Sequence, residues 1–132
     1  MINLEMLNVL GWNSDDMSNL QFVAYSYIKQ GKFRFAESIL EALEVLDPTN
    51  LYVLQTLGAC YIETKNPYKA LDSLEKALKL DPTNEMNRYN RVQALISLGL
   101  RKQALEDCQT LKDSKTEFIR QKAEALLLSA SL

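Results

Sequence analysis

The sequence predicts an all-α protein in which a pair of helices is repeated along the chain. Its 132 residues include only four glycines and three prolines, and residues that lose little side-chain entropy in a helix, such as Leu, Ala, Lys and Glu, outnumber the β-branched ones. The segment Asp-Pro-Thr-Asn at 47–50 recurs at 81–84, an offset of 34 residues. A fixed period of this length is typical of solenoids, in which each helix pair buries its apolar face against the next. We therefore expect a single domain, 1–132, folded as a helical solenoid.

The period divides the chain into three repeats, at about 17–50, 51–84 and 85–118. The third repeat is degenerate, because Arg88 and Arg91 occupy positions that are apolar in the others. Several residue types recur at equivalent positions of the repeats: Tyr27 and Tyr61; Leu40 and Leu74; Leu46 and Leu80; and Ala36, Ala70 and Ala104. The small alanines among them predict a close approach of the two helices in a pair.

The helix boundaries follow from the residues between the apolar stretches. Proline after Asp47 and Asp81 ends a helix, because the residue before proline is disfavoured in the helical region. The Thr-Asn that follows each proline offers side-chain caps, and Asn66 is a cap before a proline at the first helical position. Ser114 and Glu117 have the spacing of a capping box. The predicted helices are 3–10 (short), 16–30, 33–46, 51–64, 67–80, 85–98, 101–112 and 116–130.

The two terminal helices are apolar and have more than one interpretation. In the last helix we expect Ala123, Leu126, Leu127 and Leu128 to cap the third repeat, with self-association as the alternative. The N-terminal segment could cap the first repeat, pair with a second copy or lie in the chain's own groove. Its apolar residues are Ile2, Leu4, Met6, Leu7, Leu10 and Trp12.

The composition argues against several classes of function. The net charge of −2 argues against nucleic-acid binding. The N-terminal segment has no basic leader, so a secretory signal is not expected. No apolar run is long enough to predict a membrane span. The chain has no histidine, and Cys60 and Cys108 show no metal-ligand spacing. We expect buried, reduced cysteines in a cytoplasmic protein, no metal or other cofactor, and no enzymatic activity.

The repeat resembles the tetratricopeptide repeat (TPR). The middle repeat carries that family's pattern almost throughout, with Leu54, Leu57-Gly58, Tyr61, Ala70, Leu74, Ala77 and Pro82. The resemblance implies a right-handed solenoid of three helix-turn-helix repeats with a capping helix. It also implies a non-catalytic scaffold whose concave groove binds another protein.

The resemblance also indicates which residues line that groove. Because the lining combines tyrosine, isoleucine and methionine with glutamine, we expect an amphipathic helix or an extended peptide with apolar anchors. Repeats that clamp the acidic tails of heat-shock chaperones have Lys and Asn where this chain has Gln21 and Tyr25, so a carboxylate ligand is not expected. The groove residues are Gln21, Tyr25 and Ile28; Tyr52, Gln55, Ala59 and Ile62; and Met86, Tyr89, Gln93 and Ile96.

A narrower resemblance covers the first half of the repeats. Gly31-Lys32-Phe33, Ala36, the Leu43–Asp47 segment and Leu57-Gly58-Ala59-Cys60 are similar to the TPR chaperones of bacterial type III secretion systems. That resemblance implies a cytoplasmic chaperone for a translocator or a needle subunit. The alternative is a TPR adaptor in another assembly. The sequence leaves open the client, the oligomeric state, and whether the terminal helices contact a co-chaperone or a second copy.

Overall fold

The computed structural model describes residues 4–130, except for the side chains at positions 4, 6 and 7. Over this range the chain is all-helical, as predicted, and each repeat helix begins and ends within two residues of its predicted bounds. The helices are α1 (Leu4–Leu10), α2 (Ser14–Lys29), α3 (Phe33–Leu46), α4 (Leu51–Glu63), α5 (Pro67–Leu80), α6 (Glu85–Ser97), α7 (Arg101–Leu111) and α8 (Glu117–Ala130).

Each helix from α2 onward packs against the next one in the chain, and short turns make neighbouring helices antiparallel. The helix pairs α2–α3, α4–α5 and α6–α7 stack into a TPR-like solenoid that α8 extends. Fully buried leucines such as Leu40, Leu57 and Leu95 form its core. Each pair contributes one apolar face to its neighbour, so the repeat predicted the packing as well as the helices.

The close approach of paired helices depends on small residues, as predicted. Ala36, Ala70 and Ala104 are at most 1% exposed. At Gly58 of α4, a Cβ atom would lie 2.5 Å from Cδ2 of Leu74 in α5. There is no room for even a methyl group at this contact.

The caps after the Asp-Pro turns are also confirmed. Oδ1 of Asn50 accepts a hydrogen bond from the Val53 N–H at 3.2 Å, and Oδ1 of Asn84 accepts one from the Asn87 N–H at 2.8 Å. Pro67 begins α5, where its missing N–H costs nothing. The expected side-chain cap from Asn66 is not formed.

The capping box predicted at Ser114 and Glu117 is wrong. Oγ of Ser114 accepts a hydrogen bond from the Thr116 N–H at 3.1 Å, and α8 begins only at Glu117. The hydroxyl is thus used in the turn, too far before the helix to cap it. A capping box does occur at the start of α2, between Asn13 and Asp16, and its Asn–Asp pairing lies outside the Ser/Thr–Glu pattern.

The terminal helices pack unequally. Ala123 is buried and Leu126 and Leu127 are partly buried against the core, whereas Leu128 is 69% exposed. The expectation that Leu128 packs on the third repeat is wrong, because the buried face of α8 recurs every three to four residues and Leu128 lies off it. At the other end, α1 contacts α3, and its Val9 is 86% exposed.

The N-terminal apolar residues are therefore only partly accounted for. Trp12 packs against the core of the first repeats, and Leu10 is 47% exposed. The side chains predicted to act at Ile2, Leu4, Met6 and Leu7 lie outside the described part of the chain. The three interpretations of the N-terminal segment stay predictions.

The degenerate third repeat replaces apolar contacts with ion pairs. Asp107 of α7 is buried, with Oδ1 3.3 Å from Nη1 of Arg88 and Oδ2 3.5 Å from Nε of Arg91. Arg88 also donates to the Pro82 carbonyl at 2.9 Å, and Arg91 lies 3.9 Å from Glu75 of α5. The two arginines that depart from the repeat pattern thus join α6 to α7 through the buried Asp107, and Arg91 also joins α6 to α5 through Glu75.

A candidate protein-binding groove on α2, α4 and α6

The first helices of the three pairs enclose a groove of about 430 Å³. Six of the predicted groove residues meet there, because they recur on the same face of α2, α4 and α6. They are Tyr25, Ile28, Tyr52, Gln55, Ala59 and Met86, and the wall is completed by Phe33, Thr56, Cys60, Glu63, Asn84, Asn87 and Asn90.

The other predicted residues lie beside this groove. Ile62 and Gln93 line a neighbouring depression of about 320 Å³, and Gln93, Tyr89 and Ile96 line another of about 500 Å³. Gln21 lines none of the three, and its Oε1 atom is buried in α2 without a hydrogen-bond donor in the described part of the chain. The predicted set is therefore spread over one continuous helical face, with Gln21 at its margin.

Three large side chains supply the apolar surface of the groove. Tyr25, Tyr52 and Met86 are 45%, 37% and 48% exposed, although all three belong to well-packed helices. The Nζ atom of Lys29 lies 5.2 Å from the Tyr25 ring centroid. Tyrosine offers a large contact area with little rotamer entropy to lose, so this surface is suited to binding an apolar side chain.

Carboxamides border these apolar residues, and sequence reasoning found only Gln55 among them. Nδ2 of Asn87 donates to Oε1 of Gln55 at 3.3 Å across the α4–α6 interface. Asn90 lines the groove one helical turn further on. The 34-residue period could have indicated Asn90, because Asn90 and Thr56 occupy equivalent repeat positions and both line the groove. Such groups can donate to and accept from a bound peptide backbone.

Two titratable groups of the groove have raised pKa values. Burial, with a smaller effect of the nearby Glu37 and Glu63, raises the pKa of the Cys60 thiol to about 11. Burial also raises the pKa of the Tyr52 hydroxyl in the groove and of the Tyr89 hydroxyl beside it. At neutral pH these three groups are therefore in their neutral forms, and Cys60 is not a reactive thiolate.

The last helix contributes to the same surface, which sequence reasoning missed. The Phe118 ring meets the Tyr89 ring edge-on, with centroids 5.6 Å apart, and Lys122, Ala125 and Ser129 line the depression beside Tyr89. The 34-residue period places the next repeat at residue 119, but α7 has 11 residues against 14 in α3 and α5. Because α8 begins early, its groove positions fall out of register with the period.

The described residues contain no cluster of His, Cys, Asp and Glu that could hold a metal ion. Cys60 and Cys108 are free and buried, as predicted. No helix among residues 4–130 is long and apolar enough to cross a bilayer.

Comparison with known proteins identifies the repeat. The family model of the tetratricopeptide repeat matches residues 52–84, which include α4 and α5. The chain has the tetratricopeptide-repeat fold. Anaphase-promoting complex subunit 3 of Schizosaccharomyces pombe is 29% identical over 86 residues, which is 65% of this chain. The match covers 13% of that subunit, so this chain spans a small part of the curated relative.

Solved structures share the fold over most of their length. The type III secretion chaperone SycD of Yersinia enterocolitica, in complex with a peptide of the translocator YopD, has a TM-score of 0.80 at 22% identity, covering 90% of this chain and 95% of SycD. PcrH with the chaperone-binding region of PopD scores 0.80 at 21%, covering 92% and 95%. The first TPR of Spaghetti (RPAP3), bound to an HSP90 peptide, scores 0.80 at 17%, covering 91% and 97%. At these identities the likeness establishes the fold.

Proposed function

We propose that this TPR protein is a type III secretion chaperone that holds an apolar or amphipathic segment of a secreted subunit in its groove. The observation that carries the proposal is the convergence of exposed Tyr25, Tyr52 and Met86 from three stacked helices on one groove. Large apolar side chains exposed together mark a protein-interaction site. A chaperone of this kind would act in the bacterial cytoplasm, before export of its client.

Two further observations support a secretion client. SycD, which shares the fold over 95% of its chain, binds a peptide of the translocator YopD in its solved complex. PcrH, matched over 95% as well, binds the chaperone-binding region of PopD. The Gly31-Lys32-Phe33 and Leu57-Gly58-Ala59-Cys60 segments resemble the TPR chaperones of bacterial type III secretion systems as a family. Whether the client of this chain is a translocator or a needle subunit stays a prediction.

The groove chemistry suits a segment with apolar anchors. An apolar side chain entering between Tyr25, Tyr52 and Met86 leaves water for a largely apolar wall, which is favourable in proportion to the area buried. Gln55 and Asn90 then lie beside the segment, where their amides can satisfy polar groups that binding removes from water. An amphipathic helix needs few of these amides, and an extended peptide needs several.

The proposal is tested by capture from a host that carries the type III secretion genes. Wild-type protein is expected to co-purify with a secreted subunit identified by mass spectrometry, and Tyr25→Ala/Tyr52→Ala is expected to lose it. Two lost aromatic anchors correspond to about a hundredfold or greater loss of affinity, which calorimetry with the purified client would measure.

The matched control is Phe22→Ala/Val45→Ala, which truncates two apolar side chains that are 69% and 56% exposed and lie outside both the groove and the turns. It is expected to capture the client as wild type does. Circular dichroism should show both variants folded. Undiminished client affinity in Tyr25→Ala/Tyr52→Ala would remove the groove from the proposal.

A second candidate function is a TPR adaptor that holds components of another assembly together. The likeness to part of an anaphase-promoting complex subunit favours it. The same capture experiment separates the two candidates. A chaperone releases a client that is then exported, whereas an adaptor stays bound to components that remain in the cell.

A further inference from the structure

The turns that join the two helices of each pair lie along one edge of the solenoid. A shallow depression of about 470 Å³ is lined by residues of the first and second turns. A second depression, of about 320 Å³, is lined by Lys65 of the second turn and by Ser97 at the end of α6. The segments 29–35, 63–69 and 97–103 therefore form one surface, which we call the basic edge. It carries one acidic residue, Glu63, and seven basic ones: Lys29, Lys32, Arg34, Lys65, Lys69, Arg101 and Lys102.

The opposite edge of the solenoid carries a net negative charge. Its segments are 13–16, 47–51, 81–85 and 112–117, where one helix pair passes to the next. They carry seven acidic residues against the two basic residues Lys112 and Lys115. The net charge of −2 thus conceals a separation of charge across the width of the solenoid. Such a separation orients an approaching charged partner.

The cations of the basic edge are available to a partner. All seven are exposed, and the ion pairs of the described residues involve Lys76, Arg88 and Arg91 instead. Lys29 and Lys69 lie over aromatic rings at 5.2 Å and 5.7 Å from the centroids. The acidic side chains nearest this edge are Glu63 and Glu37, and Glu37 accepts a hydrogen bond from the Thr64 hydroxyl of the second turn.

Lys65 is the central charge of this edge and has an unusual backbone conformation. Its φ angle is 63°, in the left-handed region, and the equivalent residues are Gly31 and Gly99, at 74° and 76°. The first helix of each pair ends in this conformation, and a lysine there is strained where glycine is not. Lys65 lines both depressions of the edge, so the residue that carries the strain is also the central charge.

The basic edge is continuous with the groove. Phe33 and Glu63 line both the groove and the 470 Å³ depression, and Phe35, 61% exposed, completes an apolar patch among the cations. We propose that the basic edge binds an acidic segment of the same partner whose apolar segment lies in the groove. This inference rests on the proposed function. A protein segment fits better than nucleic acid, since the acidic opposite edge would repel a long polyanion.

The test uses full-length ¹⁵N-labelled protein and a capped peptide of eight glutamates, followed by NMR. We expect the peptide to shift amide signals within 29–35 and 63–69, with an affinity that falls as salt is added. An equivalent peptide of eight glutamines is expected to cause no shifts. Because octaglutamate has no apolar anchor, its binding does not depend on the groove.

Three variants localise the binding. Lys32→Glu/Lys65→Glu is expected to weaken octaglutamate binding by about tenfold or more. Lys112→Glu/Lys115→Glu makes the same change of charge on the opposite edge and is expected to change it less than about twofold. Lys65→Gly removes the charge and relieves the strain at that position, so its weaker binding cannot be attributed to unfolding.

The outcomes separate this inference from the proposed function. Shifts confined to other surfaces, or equal losses in the two double variants, would overturn the basic edge as a docking site. An oligothymidine of equal charge that binds the same amides more tightly would show a nucleic-acid surface and would also overturn the inference. If octaglutamate binds as expected but Tyr25→Ala/Tyr52→Ala still binds its client, the proposal of client binding in the groove is wrong, and the basic edge remains supported as a docking site.

Discussion

At the scale of single residues, the fold depends on a few positions where side-chain size is fixed. Gly58 is the clearest, because its α-carbon faces the fully buried Leu74. Alanine is the better helix former by about 1 kcal/mol, so propensity alone would favour it here. Packing decides otherwise, since a Cβ atom 2.5 Å from Leu74 forces α4 and α5 apart.

We therefore predict that Gly58→Ala destabilises the protein by about 2 kcal/mol, the typical cost of overpacking a core. Urea unfolding followed by circular dichroism measures the change. Leu74→Ala opens the contact, so adding Gly58→Ala in that background should cost little or nothing. Wild-type stability in Gly58→Ala would show that the helix pair is not closely packed at this residue.

At the scale of helices, the third pair is held differently from the first two. Arg88 and Arg91 of α6 share the buried Asp107 of α7, where the other repeats use apolar contacts. Sequence reasoning recognised the two arginines as departures from the repeat but not their partner, because a carboxylate 16 to 19 residues away gives no periodic signal. Removing one member of a buried ion pair leaves the others uncompensated.

Asp107→Asn is accordingly expected to lower the free energy of unfolding by about 3 kcal/mol, which thermal or urea unfolding would detect. Asp72→Asn is the matched control, because Asp72 pairs with Lys76 at 3.0 Å on the exposed face of α5. Its expected cost is below about 0.5 kcal/mol. Similar costs for the two variants would contradict a structural role for the buried network.

At the scale of the whole molecule, the period predicted most of the fold. One 34-residue repeat located the helices, and the Asp-Pro-Thr-Asn turns located their ends. The groove was predicted where the period holds, on α2, α4 and α6. It was missed on α8, where the shorter α7 breaks the register. The basic edge depends on turns that adjoin only when the solenoid is assembled, so no single segment indicates it.

The central claim is that this protein binds its partner in the groove. Hydrogen–deuterium exchange on the complex with the captured client tests it most directly, because binding slows exchange where a ligand rigidifies or covers the backbone. We predict added protection in Leu51–Glu63 and Glu85–Ser97, the two helices that contribute most of the groove wall. Protection confined to Leu4–Leu10 or to the turns at 47–50 and 81–84, with those two helices unchanged, would contradict it.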